Sequence, residues 1–325
     1  MDFETNDLEP EVVVLMATYN GEAYVAEQID SIINQTYNFW RLIIRDDGST
    51  DSTVQILSDY ANIDDRIEVI SDNIGNIGQL LNFNELMKNV NKAQYIMFCD
   101  QDDWWYPTKI ECSVNLLISK EEGGDGKKIP CMVYSNFEVV DAKLQHKYDA
   151  YISSFQYDNK EMATRLLVQN WIYGCTLIIN RQLLEYCIPV PLEAENHDRW
   201  VATIASLVGE IHYLNDKTVK HRLHSNNVTT REDTTKFKHR LRRVANRFCT
   251  IDRSFEQRVN FASILKDHCL RNNITKEITV NAIEEFDRLL NLNGLRAIIY
   301  AISKRFYSTN KIQTFIFFIE LFCKN

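Results

Sequence analysis

Residues 12–50, VVVLMATYNGEAYVAEQIDSIINQTYNFWRLIIRDDGST, decide the fold. The apolar run 12–20 reads as a strand that breaks off in the polar Thr18-Tyr19-Asn20. Residues 22–35 then space Val25, Ile29, Ile32 and Ile33 as one face of a helix, and 39–50 form a second apolar strand ending in Asp46-Asp47-Gly48. Strand, helix, strand with short links is a βαβ unit, which demands parallel pairing.

The pattern continues outward. Ser49-Thr50-Asp51 precedes a helix carrying Val54, Leu57 and Tyr60; a strand follows at 66–72, a helix near 78–90 and a strand at 93–100. Further on, 132–141 reads as a strand and 171–186 as a strand leading into a helix. This alternation predicts an α/β fold with a mostly parallel sheet, whose ligands collect at the carboxyl ends of the strands. Those ends are polar: Thr18-Tyr19-Asn20, Asp46-Asp47-Gly48, Asp72-Asn73 and Asp100-Gln101-Asp102-Asp103. Any one of them is ordinary turn chemistry; four at successive strand ends predict one shared rim.

The chain has 325 residues, 45% hydrophobic and 25% charged, with only ten glycines and five prolines, which suits a folded protein with a sizeable core. The eight cysteines have no metal-binding spacing and read as reduced core thiols. The acidic MDFETNDLEP start lacks a signal-peptide pattern, and no apolar run reaches the ~20 residues of a membrane span, so the cytoplasm is the default expectation. Residues 1–235 carry 19 Lys and Arg against 37 Asp and Glu, whereas 236–325 carry 17 against 8. This division predicts an acidic catalytic domain over 1–235 and a basic helical region over 236–325. Nucleic-acid signatures are absent, so an anionic membrane surface suits the basic part better.

YIMFCDQDDWW, residues 95–105, puts carboxylates at the mouth of an apolar strand, with Asp100 and Asp102 projecting to one side if strand geometry persists. Oxygen ligands of this kind suit Mg or Mn. Such an ion is the usual means of stabilising charge on a leaving diphosphate. Asp103 reads equally as a solvated or a helix-capping carboxylate.

Taken in order, ATYNGEAYVAEQIDSIINQTY (17–37), IIRDDGSTDST (43–53) and DQDDWWYPTKI (100–110) resemble the nucleotide-binding half of family 2 glycosyltransferases, which have the GT-A fold. HDRW (197–200) followed by HRLHSNNV (221–228) is similar to their bacterial rhamnosyltransferase-like branch. The resemblance spans roughly residues 10–230. It implies a Rossmann-like sheet flanked by helices, with nucleotide-sugar binding over about 10–110, an acceptor and catalytic part over about 130–230, and a helical C-terminal extension. Carried over residue by residue, it places Thr18, Tyr19 and Asn20 in the nucleoside pocket with Glu22 nearby. Asp47 would accept from a pyrimidine ring nitrogen; Asn76 and Gly78 would approach the nucleotide. Asp100 would face ribose and metal, with Asp102 and His224 as metal ligands. Asp198 matches the catalytic base that takes the proton of an attacking hydroxyl. His197 becomes a candidate acceptor or phosphate contact, Arg222 a phosphate partner, and Trp104, Trp105 and Trp200 a candidate apolar wall for the sugar, with core packing the alternative for all three.

The implied reaction is inverting transfer of a sugar from a nucleotide diphosphate to a hydroxyl in surface polysaccharide. Rhamnose from dTDP-rhamnose is the leading donor, UDP-sugars follow, and the acceptor is lipid-linked or an oligosaccharide. A haloacid-dehalogenase phosphatase is disfavoured by Trp104 two positions after Asp102, and a dinucleotide oxidoreductase by the missing G-x-G-x-x-G. A non-catalytic nucleotide-sugar-binding partner subunit stays open. In the C-terminal region, the basic stretch 236–243 and the apolar FIFFIELF (315–322) allow two readings: packing on the catalytic domain, or peripheral contact with the inner membrane leaflet.

Overall fold

The computed structural model describes residues 11–124, 126–150, 159–224, 251–274, 277–309 and 311–323. The expected alternation is present: β1 (Val12–Thr18), α1 (Val25–Ile33), β2 (Trp40–Asp46), α2 (Thr53–Ile63), β3 (Ile67–Val69), α3 (Gln79–Lys88) and β4 (Tyr95–Asp100). There follow β5 (Trp104–Trp105), α4 (Lys109–Ile118), β6 (Cys131–Asp141), β7 (His146–Asp149), α5 (Asn159–Val168), a 3-10 turn (Gly174–Thr176), β8 (Leu177–Asn180), α6 (Arg181–Cys187), α7 (His197–Val208) and β9 (Glu210–Leu223). β3 is shorter than the expected 66–72: its pairing with β2 ends at Val69, and Asp72 beyond it meets Arg45. Residues 197–223 form α7 and one long strand, β9, which pairs with β6.

The strands join in one sheet, in the order β3-β2-β1-β4-β8-β6-β9-β5, with β7 on β6. β1, β2, β3, β4, β6 and β9 run one way; β5, β7 and β8 run against them. The α/β, GT-A-like expectation therefore holds, with β1, β2, β3 and β4 parallel to one another and the antiparallel pairings made by β5, β7 and β8. β1 lies between β2 and β4 and is covered on both faces, which is why VVVLM shows no polar alternation.

Alternate side chains divide between two cores, because successive Cβ atoms point to opposite faces. Val12, Val14, Met16, Leu42, Ile44 and Met97 face α1, α2 and α4 through Ile29, Ile32, Leu57, Ile110 and Val114. Val13, Leu15, Ile43, Ile96 and Phe98 face α3, α5, α6 and α7 through Phe83, Leu86, Leu166, Leu183 and Val201. Each fully buried Leu or Ile contributes about 1.5–3 kcal/mol.

Four further helices, α8 (Ile251–Arg271), α9 (Glu277–Leu290), α10 (Gly294–Ser303) and α11 (Lys311–Cys323), extend the second core. Phe261 of α8 meets Trp200 edge to face at 6.2 Å, Arg258 donates to Val168 O and pairs with Glu320 of α11, and Arg305 pairs with Glu161 of α5 at 2.7 Å. The helical C-terminal region thus packs on α5 and α7. The basic stretch 236–243 lies outside the described residues. Among the described residues, no helix is long and apolar enough to cross a membrane.

Candidate active site

Parallel register brings the strand ends level: Thr18 stands opposite Asp46 and Ala17 opposite Asp100. The loops leaving these strands are tied to one another. Gln101 clasps the backbone of Tyr19, accepting from its N–H at 2.9 Å and donating to its carbonyl at 3.0 Å. A Cβ at Gly21 would lie 2.2 Å from the Gln101 amide oxygen, so this closure requires glycine. Asn20, at φ 46°, donates its N–H to Ser49 Oγ and accepts from Thr50 N–H, each at 2.8 Å. Glu22 accepts from Ser52 N–H at 2.9 Å while Asp51 accepts from Glu22 N–H at 3.1 Å, a reciprocal pair of bonds that ties the loop after β1 to the residues before α2. Thr18 Oγ1 donates to Asp46 at 2.9 Å.

Asp47 is buried and held by three donors. Its carboxylate accepts from Arg45 at 2.9 Å and from the N–H groups of Ile77 at 2.9 Å and Gly78 at 2.8 Å. The expected nucleoside-side loops 47 and 76–78 are thereby joined, with Gly78 at φ 80° and Asn76 exposed beside Gly48. Arg45 was not anticipated. Wholly buried, it also grips Asp72 at 2.7 Å; burial alone would lower its proton affinity, but Asp72 and Asp47 together raise it. A charged residue inside the apolar run LIIRDD was the available signal.

Asp102 and His224 come together, Oδ2 to Nε2 at 2.8 Å, with the His224 ring centroid 4.6 Å from that of Tyr24. Asp100 lies at the same mouth and receives a long 3.3 Å hydrogen bond from Gln79. Burial, then the carboxylates of Asp103 and Asp102, push the Asp100 carboxyl up to about 8. The carboxylates of Asp100 and Asp102 beside the His224 imidazole offer the oxygen and nitrogen atoms a divalent cation takes, and the 2.8 Å contact resembles the roughly 3 Å between neighbouring ligands on one ion.

Asp103 is neither solvated nor a helix cap. Fully buried, it pairs with His221 Nδ1 at 2.8 Å and accepts from Arg222 N–H at 3.1 Å. Burial works against its charge, yet His221 holds the carboxyl below the ordinary range, and Asp103 in turn raises His221 to about 9 against the effect of burial. The donor atoms of Asp103, Cys175 and His221 lie within 4.8 Å of one another. Buried Lys109 is close enough to feel Asp103 and Cys175, although desolvation lowers it to about 8. Asp103 therefore already has cationic neighbours, and the cluster reads as a buried charge network.

Arg222 is also consumed internally. Nε donates to Asp102 O at 2.9 Å, Nη1 to Ala142 O at 2.7 Å and Nη2 to Glu27 at 2.6 Å, with the guanidinium over the Tyr24 ring. It holds the Asp102 loop against α1 rather than facing the rim. Trp105 and Trp200 are likewise wholly buried, so neither forms a wall for a sugar; Trp104 is partly exposed, under Lys220.

Asp198 stands in the first turn of α7, near enough for its charge to be among the causes raising Asp100. Burial lifts the Asp198 carboxyl to about 6, opposed by the N–H groups of Arg199 and Gly174. His197 points the other way. It stacks on Phe83 at 3.8 Å, and burial drives it down to about 3, so it is a neutral packed ring rather than a phosphate contact. Gly174 roofs both residues: a Cβ there would lie 2.6 Å from His197 Nε2 and 3.6 Å from Asp198 Cβ.

The family model for Glycosyl transferase family 2 matches residues 13–184, the span from β1 into α6. The chain belongs to this family. The glycosyltransferase RT0329 of Rickettsia typhi, described as uncharacterized, is 33% identical over 177 residues, covering 54% of this chain and 51% of its own; the chain thus spans about half that relative. S. aureus TarS 1-349 in complex with UDP-GlcNAc superposes with a TM-score of 0.54 at 18% identity, covering 91% of this chain and 88% of that one. The mannosyltransferase PcManGT of Pyrobaculum calidifontis, in complex with GDP-Man and Mn2+, gives 0.51 at 14% identity, covering 92% and 74%. Both likenesses show the GT-A fold shared with these structures.

Proposed function

We propose that this family 2 chain is an inverting glycosyltransferase that moves a sugar from a pyrimidine nucleotide diphosphate to an acceptor hydroxyl. The observation that carries the reading is the meeting of Asp102 and His224 at the strand rim, with Asp198 within electrostatic reach of Asp100. Mg or Mn, held by Asp102 and His224, would neutralise charge on the departing diphosphate. The acceptor oxygen attacks the anomeric carbon, the bond from that carbon to the diphosphate breaks, and the hydroxyl proton passes to the Asp198 carboxylate. With its carboxyl near 6, Asp198 is mainly ionised at neutral pH yet holds a proton more firmly than an ordinary aspartate.

Thr18, Tyr19, Asn20, Asp47, Asn76 and Gly78 frame the nucleoside end, and Asp100 stands between nucleoside and metal. dTDP-rhamnose is the leading donor because of the HDRW and HRLHSNNV motifs; UDP-sugars come second, supported by the fold shared with the TarS complex with UDP-GlcNAc. The acceptor is a lipid-linked or oligosaccharide precursor of surface polysaccharide, met on the cytoplasmic face of the membrane through peripheral contact with the inner leaflet. A thermal-shift panel of dTDP-, UDP- and GDP-sugars, with and without Mn, tests this reading, since a ligand stabilises the fold according to its affinity. Metal-dependent stabilisation by one pyrimidine nucleotide sugar is expected. Stabilisation by none of them would remove the reading, and a stabilising donor that is never turned over would leave a binding subunit instead.

A further inference from the structure

α10 turns Ala297 and Ala301 into the core. At 100° per residue this sends Leu295, Ile299 and Ile302 to the opposite side, where they are 63%, 59% and 54% exposed. α11 packs on α10 and repeats the arrangement: Phe317 and Leu321 point inward, while Phe315 and Phe322, 64% and 58% exposed, point out with Ile312. Two adjoining helices that each bury one apolar face and expose another are unusual on a soluble surface, and such patches mark interaction sites.

Charge narrows the choice of partner. Residues 294–323 contain Arg296, Lys304, Arg305 and Lys311, and their one acidic residue, Glu320, is buried against Arg258. Lys304 pairs with Glu285 and Arg305 with Glu161, leaving Arg296 and Lys311 without an ion pair among the described residues. A symmetric contact with a second copy would bring like charges together around the apolar centre. An anionic lipid surface would take the apolar side chains into its headgroup boundary and the cations onto its phosphates.

We propose that the outward face of α10 and α11 docks on an anionic lipid surface, inserting Phe315, Phe322 and the exposed aliphatic residues. The inference deepens the reading of a membrane-borne acceptor and rests on it for its purpose. Its geometry is that of a monotopic contact, since neither helix is long enough to span.

Vesicle flotation of the full chain tests it. Binding to phosphatidylglycerol-containing vesicles is expected, with weaker binding to pure phosphatidylcholine. Phe315→Ser with Phe322→Ser should lower partitioning roughly tenfold or more, and Arg296→Gln with Lys311→Gln should abolish the preference for anionic vesicles. Absence of wild-type flotation, or equal flotation by the phenylalanine variant, overturns the proposal. So does a wild-type dimer that this variant converts to monomer without any vesicle binding. Donor-induced thermal stabilisation, read on the same preparations, separates the two readings. If it persists without flotation, only the docking surface falls; flotation without it leaves the surface standing and removes the transferase.

Discussion

The carboxylate of Asp102 and the imidazole of His224, 122 positions apart in the chain, lie 2.8 Å from one another. β4 delivers one and the end of β9 the other, and Arg222 fastens the two loops through the Asp102 carbonyl. Asp102→Ala is expected to weaken Mn2+ binding by about 10–100-fold, and His224→Gln by roughly tenfold. Electron paramagnetic resonance titration of free Mn2+ measures both. Wild-type turnover unaffected by chelation would remove these residues as metal ligands.

Asp198→Asn keeps the shape of the α7 start but loses the proton acceptor. Turnover should fall about 10²–10⁴-fold with donor binding preserved. In wild type the rate should climb with pH through about 6, as Asp198 ionises, and the variant should lack that limb. A pH profile of kcat for both proteins decides; an identical acidic limb in the variant would clear Asp198 of the role.

The same carboxyl makes a stability prediction. Its folded value, about 6, exceeds the ordinary 3.8, so its protonated form is favoured by folding. That contribution is complete below about 4 and is lost as pH rises through about 6. Asp198→Asn should therefore stabilise the protein by about 1–3 kcal/mol at pH 7 and by almost nothing near pH 4. Urea midpoints at the two pH values provide the measurement, and a destabilised variant at pH 7 would contradict the burial argument.

The buried pair Asp103 and His221 predicts the complementary trend. His221 is raised from 6.5 to about 9, so the stability it supplies is present below 6.5 and disappears as pH climbs through about 9. His221→Gln should cost about 3–5 kcal/mol at pH 7 because it strands a buried carboxylate. The difference from wild type should shrink towards pH 10. Paired denaturation curves at pH 7 and 10 test this; a gap that stays constant would mean the pair is not ionised.

Gly174→Ala inserts a methyl 2.6 Å from His197 Nε2, against a ring already stacked on Phe83. The ring has little room to retreat, and Asp198 is the next residue. A stability loss of about 1–3 kcal/mol is expected, with turnover falling more than donor affinity. Calorimetry and steady-state kinetics on one preparation would show both effects, whereas unchanged kcat would detach Gly174 from the positioning of Asp198.

The sequence by itself determined the alternation of strands and helices from β1 to β4, the polar rim at their ends and the family. Apolar spacing is a local property, and the paired motifs lie within a few residues of strand ends that parallel register brings level. What each polar side chain faces was decided only by the tertiary structure. Asp103 and His221, 118 positions apart, neutralise each other in the interior, and Arg222 reaches across 195 positions to Glu27 instead of turning to the rim. His197 and Trp105 fill the two cores, and Arg45 links Asp47 to Asp72. The reason is that a buried charge must find a partner, and an aromatic ring a packed cavity. Asp47, two positions from Arg45, is the local case here; the other partners named come from segments that no local window contains.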